Sequence, residues 1–444
     1  MQRLLLIVVA LFLVCGSLEA QNSPPFIGLG DSLSEGVQSI DAAAQTQVHG
    51  YLSLIAGQMG VEFPLPLIVT GPFGVVEGVF ERSRLNPLVL ASNLAASGID
   101  SSSILTAQAV SPAVSETDLV LFPRTGVTQI SIAESLQPPL IICWVGNNDV
   151  LGAITKFDAL NPAELASQIT PAATFDANYA QITSRLGALR SKVVYANIPD
   201  VAEAPFLFTP QDLAAFLGSN YGLPQGSYTT LIAMLLIKLG LDNGSILQNP
   251  DWVLDPGEIQ TIEQAVSTFN RIIAVRAAKN YAPVVDINSL TRRFVQNPPV
   301  VGSFTLTRRY LGGLFSLDGL HPSDICYALI ANQFIQTIDS YYHVRIPPIN
   351  GANLVSILYA DPFVDFNHNL KVPGRPGVGL LETLGPFLGI SGDQETMLVS
   401  PGVRPALGQR FMQQYLMSQG KDPNTKWTRD DAIAAFHKIF HFAK

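Results

Sequence analysis

Residues 139–145 read PLIICWV and stop at Gly146, an almost wholly apolar run with none of the alternation expected of a strand that keeps one face in water. Other short runs share that character. PFIGLG (25–30) precedes Asp31-Ser32, and LVLASNLA (88–95) leads into Ser97-Gly98. KVVYANI (192–198) leads into Pro199-Asp200, and PVVDI (283–287) closes the series. Helical spacing of apolar residues fills the intervals at 47–59, in two stretches near 161–190, and over 258–281 and 322–343, the last with Pro322 at its start. Short all-apolar strands alternating with helices predict an α/β, doubly wound parallel sheet covered on both faces. In such sheets a site lies outside the carboxyl ends of the strands.

Composition agrees with a large core. The 444 residues are 48% hydrophobic and 14% charged, well below the usual charged fraction of about 25%. Net charge is −9, and no block of Lys or Arg occurs, so a nucleic-acid partner held through phosphate neutralisation is not expected. Arg3, the apolar run Leu4 to Val14 and the small and polar stretch to Ala20 read as a secretory signal peptide over 1–20. Its apolar part is too short to cross a bilayer of about 30 Å as a helix. The expectation is therefore an exported protein: periplasmic, outer-membrane-associated or extracellular. Removing residues 1–20 leaves Cys143 and Cys326, either as one bridge or as two buried thiols, and the buried thiols are the expected state. Neither a cofactor nor a metal site is expected, since no Cys/His cluster has ligand spacing.

The polar residues at the strand ends carry chemistry. They are Asp31-Ser32, Ser97-Gly98, Gly146-Asn147-Asn148-Asp149 and, much later, Asp318-Gly319-Leu320-His321-Pro322. A doubly wound sheet gathers such segments along one edge. A serine hydroxyl becomes a nucleophile when a base takes its proton, and His321 is the candidate base. Asp318, three residues earlier, is in reach of that imidazole if the loop turns tightly. The backbone amides of Ser32 and Gly98, with the carboxamide of Asn148, are candidate donors to an oxyanion. This inventory fits acyl transfer. Asp31 and Asp149 are expected to brace their loops.

At these residues the chain resembles the GDSL, or SGNH, family of serine esterases and lipases. Gly30-Asp31-Ser32-Leu33 looks like the family's nucleophile block, and Ser97-Gly98 within NLAASG like the block whose glycine serves the oxyanion hole. Gly146-Asn147-Asn148-Asp149 is similar to its G-x-N-D block, and Asp318 to Pro322 to its D-x-x-H-P block. The resemblance spans about 25–343. It implies a flavodoxin-like three-layer fold, a Ser32–His321–Asp318 triad, an oxyanion hole of Ser32, Gly98 and Asn148, and a small-molecule or lipid ester as substrate. Two other readings stay open: a carbohydrate or phospholipid ester hydrolase on the same triad, or a lipid-binding or surface protein that keeps the scaffold without turnover.

The expected hydrolase domain is 21–343, with an insertion at 202–257 and an extension at 344–444. The insertion contains LIAMLLIKLGL (231–241), apolar on nearly every helical face. Two roles are open for it: a lid over the catalytic edge, with transient contact to a lipid surface, or a core helix. The stretch APFLFT (204–209) is a candidate pocket lining. In the extension, 401–417 and 428–442 have helical patterns, with Thr428 and Asp431 placed as a capping box. Asp365-Phe366-Asn367-His368-Asn369 lacks the glycine and twelfth-position carboxylate of a calcium loop and is expected to be an ordinary loop.

Overall fold

The structure is a computed structural model that describes residues 23–69, 75–76, 79–80, 82–379 and 402–439. Residues 1–20, expected above to be a signal peptide, lie outside the described residues, as do parts of the extension around the two C-terminal helices.

The strands form where continuous apolar runs are hidden on both faces. β1 (Phe26–Gly30), β2 (Leu140–Trp144), β3 (Lys192–Ala196) and β4 (Val284–Val285) are parallel and lie in that spatial order. Every residue of β1 and β2 is buried. The run 88–95 does not become a full strand. It joins the free edge of β1 through Gly28 N–H to Ser92 O (3.0 Å) and Leu94 N–H to Gly28 O (2.8 Å), with a single parallel bridge at Asn93. The Asn93 side chain explains the shortening: its Oδ1 accepts from Ala95 N and its Nδ2 donates to Ser34 O, diverting backbone from the ladder. Counting this edge, the strand order is the flavodoxin-like 2-1-3-4-5.

The helices that matter for the site are α1 (Ser32–Glu35), α2 (Tyr51–Met59), α3 (Gln129–Leu136), α4 (Asn148–Thr155) and α5 (Ala172–Gly187). They are followed by α6 (Leu231–Lys238), α7 (Pro256–Lys279), α8 (Ile287–Gln296), α9 (Asp324–Tyr342), α10 (Pro405–Ser418) and α11 (Arg429–Ile439). Alternate strand residues feed two cores. Ile27, Leu29, Ile141, Cys143 and Tyr195 pack with α3, α5 and α7, whereas Phe26, Ile142, Trp144 and Val194 pack with α2, α8 and α9. The layers are helix, sheet, helix. Cys143 and Cys326 are buried free thiols.

The insertion builds a small antiparallel sheet from Leu207–Phe208, Tyr228–Thr230 and Val253–Leu254. Of the two roles open for 231–241, the structure shows the core helix. All eight residues of α6 are buried, Lys238 included, and Lys238 Nζ donates to Gly402 O (2.8 Å). A helix apolar on every face is stable only when covered on every face. Here the helix Pro210–Leu217, the small sheet and the C-terminal α11 cover it. Part of the extension thus completes the insertion's core: Phe411 and Phe436 are buried with ring centroids 5.1 Å apart. The Thr428–Asp431 capping box forms, and Asp365 accepts the backbone N–H groups of Asn369 and Leu370 in an ordinary loop.

Candidate active site

β1 ends in a turn that only glycine fits. Gly30 has φ +145°, and a Cβ there would lie 2.1 Å from Trp144 O. Gln129 of α3 grips the same residue from both sides, Oε1 accepting from Gly30 N (2.8 Å) and Nε2 donating to Gly30 O (2.9 Å). Asp31 then caps α1 by accepting from Leu33 N. The next residue, Ser32, is left at the top of the sheet.

The D-x-x-H loop brings the distant partners to that serine. His321 Nε2 lies 2.9 Å from Ser32 Oγ, and His321 Nδ1 lies 2.7 Å from Asp318 Oδ2. Asp318 Oδ2 also accepts from Ile40 N (2.6 Å), while Oδ1 accepts from the N–H groups of Leu320 and His321 (2.8 Å each) and from Ser316 Oγ (3.3 Å). Burial alone would raise the Asp318 carboxyl, but the charge and hydrogen bond of His321 and these backbone donors hold it below its usual value. Two segments 289 positions apart in the chain thereby close into one hydrogen-bonded chain.

Asn148 is joined to the Gly98 loop through Ile99. Gly98 sits at φ +76° in the loop after Ala96, whose N–H donates to Gly30 O (3.2 Å). Asn148 Nδ2 donates to Ile99 O (2.8 Å), fixing the carboxamide against this loop. Among the described residues, the backbone N–H groups of Ser32 and Gly98 have no protein acceptor. Asp149 braces the same region, accepting from Ser101 N (2.8 Å) and Ser101 Oγ (2.6 Å), and burial pushes its carboxyl up to about 6.

Matching the sequence against family models gives one result that decides the kinship: residues 27–334 match the model for GDSL-like lipase/acylhydrolase. The chain belongs to that family. Members of the GDSL family are carboxylic ester hydrolases. Similar solved structures include an extracellular lipase from Streptomyces rimosus, at 16% identity over 71% of this chain and 98% of that one, with a TM-score of 0.35. Phospholipase A1 from Streptomyces albidoflavus NA297 is similar at 16% identity, covering 72% and 99%, with a TM-score of 0.36. The acetylxylan esterase Axe2 of Geobacillus stearothermophilus, in a catalytic mutant, is similar at 11% identity, covering 71% and 94%, with a TM-score of 0.36. Among curated proteins no match is found.

Several residues besides the triad and the candidate oxyanion donors shape this site. Asp31 is fully buried, and burial pushes its carboxyl up to about 7 against the opposing hydrogen bonds from Asn147 Nδ2 (2.7 Å) and Leu33 N. Asn147, rather than Asn148, lines the cleft in front of Ser32. Glu35 of α1 accepts from Ser97 Oγ (2.7 Å) and so ties the Gly98 loop to the helix that carries Ser32. Burial, then the neighbouring Glu116, raises the Glu35 carboxyl well above its usual value. Its Oε1 has no hydrogen-bond partner among the described residues. The i,i+3 spacing of Ser32 and Glu35 was visible in the sequence; the contact with Ser97 was not.

The cleft in front of Ser32 and His321 is lined mostly by apolar side chains, among them Leu151, Ile287, Phe294, Leu314 and Ile330, with Glu203 and Arg308 also in the lining. Of the stretch 204–209, only Ala204 reaches it; Phe206 and Phe208 are buried in the core beneath.

Proposed function

We propose that this chain is an exported serine esterase of the GDSL family in which Ser32, His321 and Asp318 act as the catalytic triad on esters carrying an acyl chain. The observation that carries the reading is the hydrogen-bonded chain from Asp318 through His321 to Ser32 at the floor of an apolar cleft. With Asp318 held as a carboxylate, His321 keeps its proton on Nδ1 and offers an unprotonated Nε2. Ser32 Oγ attacks the ester carbonyl carbon while its proton passes to Nε2. The carbonyl oxygen gains the electron pair and is received by the Ser32 and Gly98 N–H groups and the Asn148 carboxamide. Collapse expels the alcohol, which takes the proton back from Nε2. Water then repeats the cycle against the acyl-serine and releases the acid.

The cleft lining supports a hydrocarbon acyl group over a bulky polar sugar, because its walls offer few hydrogen-bonding groups. Export rests on the residue pattern of 1–20; N-terminal sequencing of the protein recovered from outside the cytoplasm is expected to begin at Gln21, and a retained Met1 removes that part of the proposal. A fluorophosphonate probe tests the nucleophile: it is expected to label the wild type and not Ser32→Ala. Equal labelling of both would assign the nucleophile elsewhere, and labelling of neither would favour a binding protein without turnover. Nitrophenyl esters of medium-length acids are expected to turn over faster than the acetate.

A further inference from the structure

The catalytic cleft has a neighbour. A second groove runs along the insertion, lined by Pro205, Leu207, Thr209 and Tyr310. Phe294, Val295 and Arg308 line both spaces, so these three side chains form the wall between them. Phe294 and Val295 stand on α8, while Arg308 comes from the loop that precedes the D-x-x-H turn.

Arg308 is the part of this wall held by charge. Its Nε lies 2.8 Å from Glu203 Oε2, and its Nη1 donates to Glu203 O (3.0 Å). Glu203 ends the 3-10 turn Val201–Glu203 at the start of the insertion and itself lines the catalytic cleft. The pair therefore ties the start of the insertion to the loop that precedes the D-x-x-H turn, within the lining of the cleft. About a quarter of the Arg308 side chain and a third of that of Glu203 remain exposed. Burial raises the Glu203 carboxyl and the guanidinium draws it back, so the attraction is largely offset by lost hydration. A half-wet pair of this kind opens without large cost.

We propose that the Arg308–Glu203 ion pair is the length-determining wall of the acyl site. With the pair closed, an acyl chain on Ser32 ends within the apolar cleft. With it open, the chain continues between Phe294 and the insertion into the second groove. This rests on the esterase reading above and adds to it the residues that set chain length.

The test is the ratio of kcat/KM for nitrophenyl palmitate to that for nitrophenyl octanoate, at fixed detergent, in wild type, Arg308→Ala and Glu203→Gln. Arg308→Ala removes the wall, and Glu203→Gln cuts the ion pair while keeping the volume. The ratio is expected to rise about five-fold or more in Arg308→Ala and less in Glu203→Gln. A series of alkyl acetates, which varies the alcohol instead, is expected to keep its wild-type profile. Ratios within about two-fold of wild type in both variants overturn the proposal, as does a shift confined to the alkyl acetates. Should Arg308→Ala fail to fold, the Glu203→Gln ratio decides alone. A wild type that cleaves no ester and takes no fluorophosphonate refutes the underlying esterase reading, a result distinct from an active enzyme with an unmoved ratio.

Discussion

Replacing Asp318 by Asn tests the triad at its most constrained atom. The carboxylate accepts five hydrogen bonds, and an amide of the same shape accepts at only one of its two ends. Three donors converge on Oδ1, from Leu320 N, His321 N and Ser316 Oγ, so the amide oxygen settles there. The new NH2 group then faces His321 Nδ1 and Ile40 N–H, both of which donate to Asp318 Oδ2 in the wild type. Two consequences follow. The imidazole must shift its proton to Nε2, which then donates to Ser32 Oγ instead of accepting from it. The same tautomer error in another Ser-His-Asp triad lowers kcat about ten-thousand-fold, or roughly 5.5 kcal/mol of barrier. Ile40 N–H loses its acceptor, at about 1–3 kcal/mol of stability. Ile40 already sits at φ +68°, which leaves its backbone little freedom to find another. Because the Asp318 carboxyl lies below its usual value, its stabilisation is present above about pH 4 and fades only as pH falls further, so the variant lacks it at neutral pH. The assay pairs kcat on a nitrophenyl ester with a denaturation midpoint at pH 7. A folded Asp318→Asn protein that keeps more than about a tenth of wild-type kcat would refute the assignment of Asp318 as the group that orients His321.

Asn148→Ala is expected to lower kcat by about a hundred-fold or more while fluorophosphonate labelling of Ser32 stays detectable; an unchanged kcat excludes the carboxamide from the oxyanion hole. Asp31→Asn keeps the helix cap and removes a carboxyl held near 7 by burial. In the wild type that raised value makes native stability fall as pH rises from about 4 to about 7, by roughly 4 kcal/mol at most. Asn147 Oδ1, which has no partner among the described residues, is placed to accept from the new amide after a flip, so the variant's Tm is expected to gain on wild type between pH 5 and pH 8. An identical Tm difference at both values contradicts this account. Arg375→Ala leaves Asp324 without its bidentate partner (2.8 Å to each oxygen) beside the buried Asp361. A loss of about 3 kcal/mol, read as a lowered urea midpoint, is expected, and an unmoved midpoint would show the clasp to be inert.

The sequence announces the features whose signal is local. A parallel strand buried on both faces must be a short apolar run, and β1 and β2 are legible for that reason. Ser32, Asp318 and His321 stand at turns where the residue types themselves limit the chemistry. What was not legible is polar pairing across long stretches of chain. Nothing near Gln129 says that it clasps Gly30, and nothing near Ser97 says that Glu35 holds it. The edge run at 88–95 looked like a strand because its apolar residues outnumber Asn93, yet that one carboxamide redirects the backbone. Lys238 stands at the end of the otherwise apolar α6. Its ammonium finds Gly402 O, a partner 164 residues away that no pattern around residue 238 could reveal.

That long-range contact changes how the extension relates to the site. The cleft has two kinds of wall. One comes from the sheet domain, through α8, α9 and the His321 loop; the other comes from the first residues of the insertion, Val201 to Ala204. The insertion can present that second wall rigidly only if its own core is closed, and α6 in that core is covered in part by α11. Residues 361–379, meanwhile, run to the opposite flank, where Arg375 clasps Asp324 just beyond His321 and Val364 pairs with Gly312. The extension thus reaches both walls of the cleft while contributing no residue to the triad. Changes to α10 and α11 should therefore appear first in which esters are chosen, and changes at Arg375 first in the stability of the loop that carries His321.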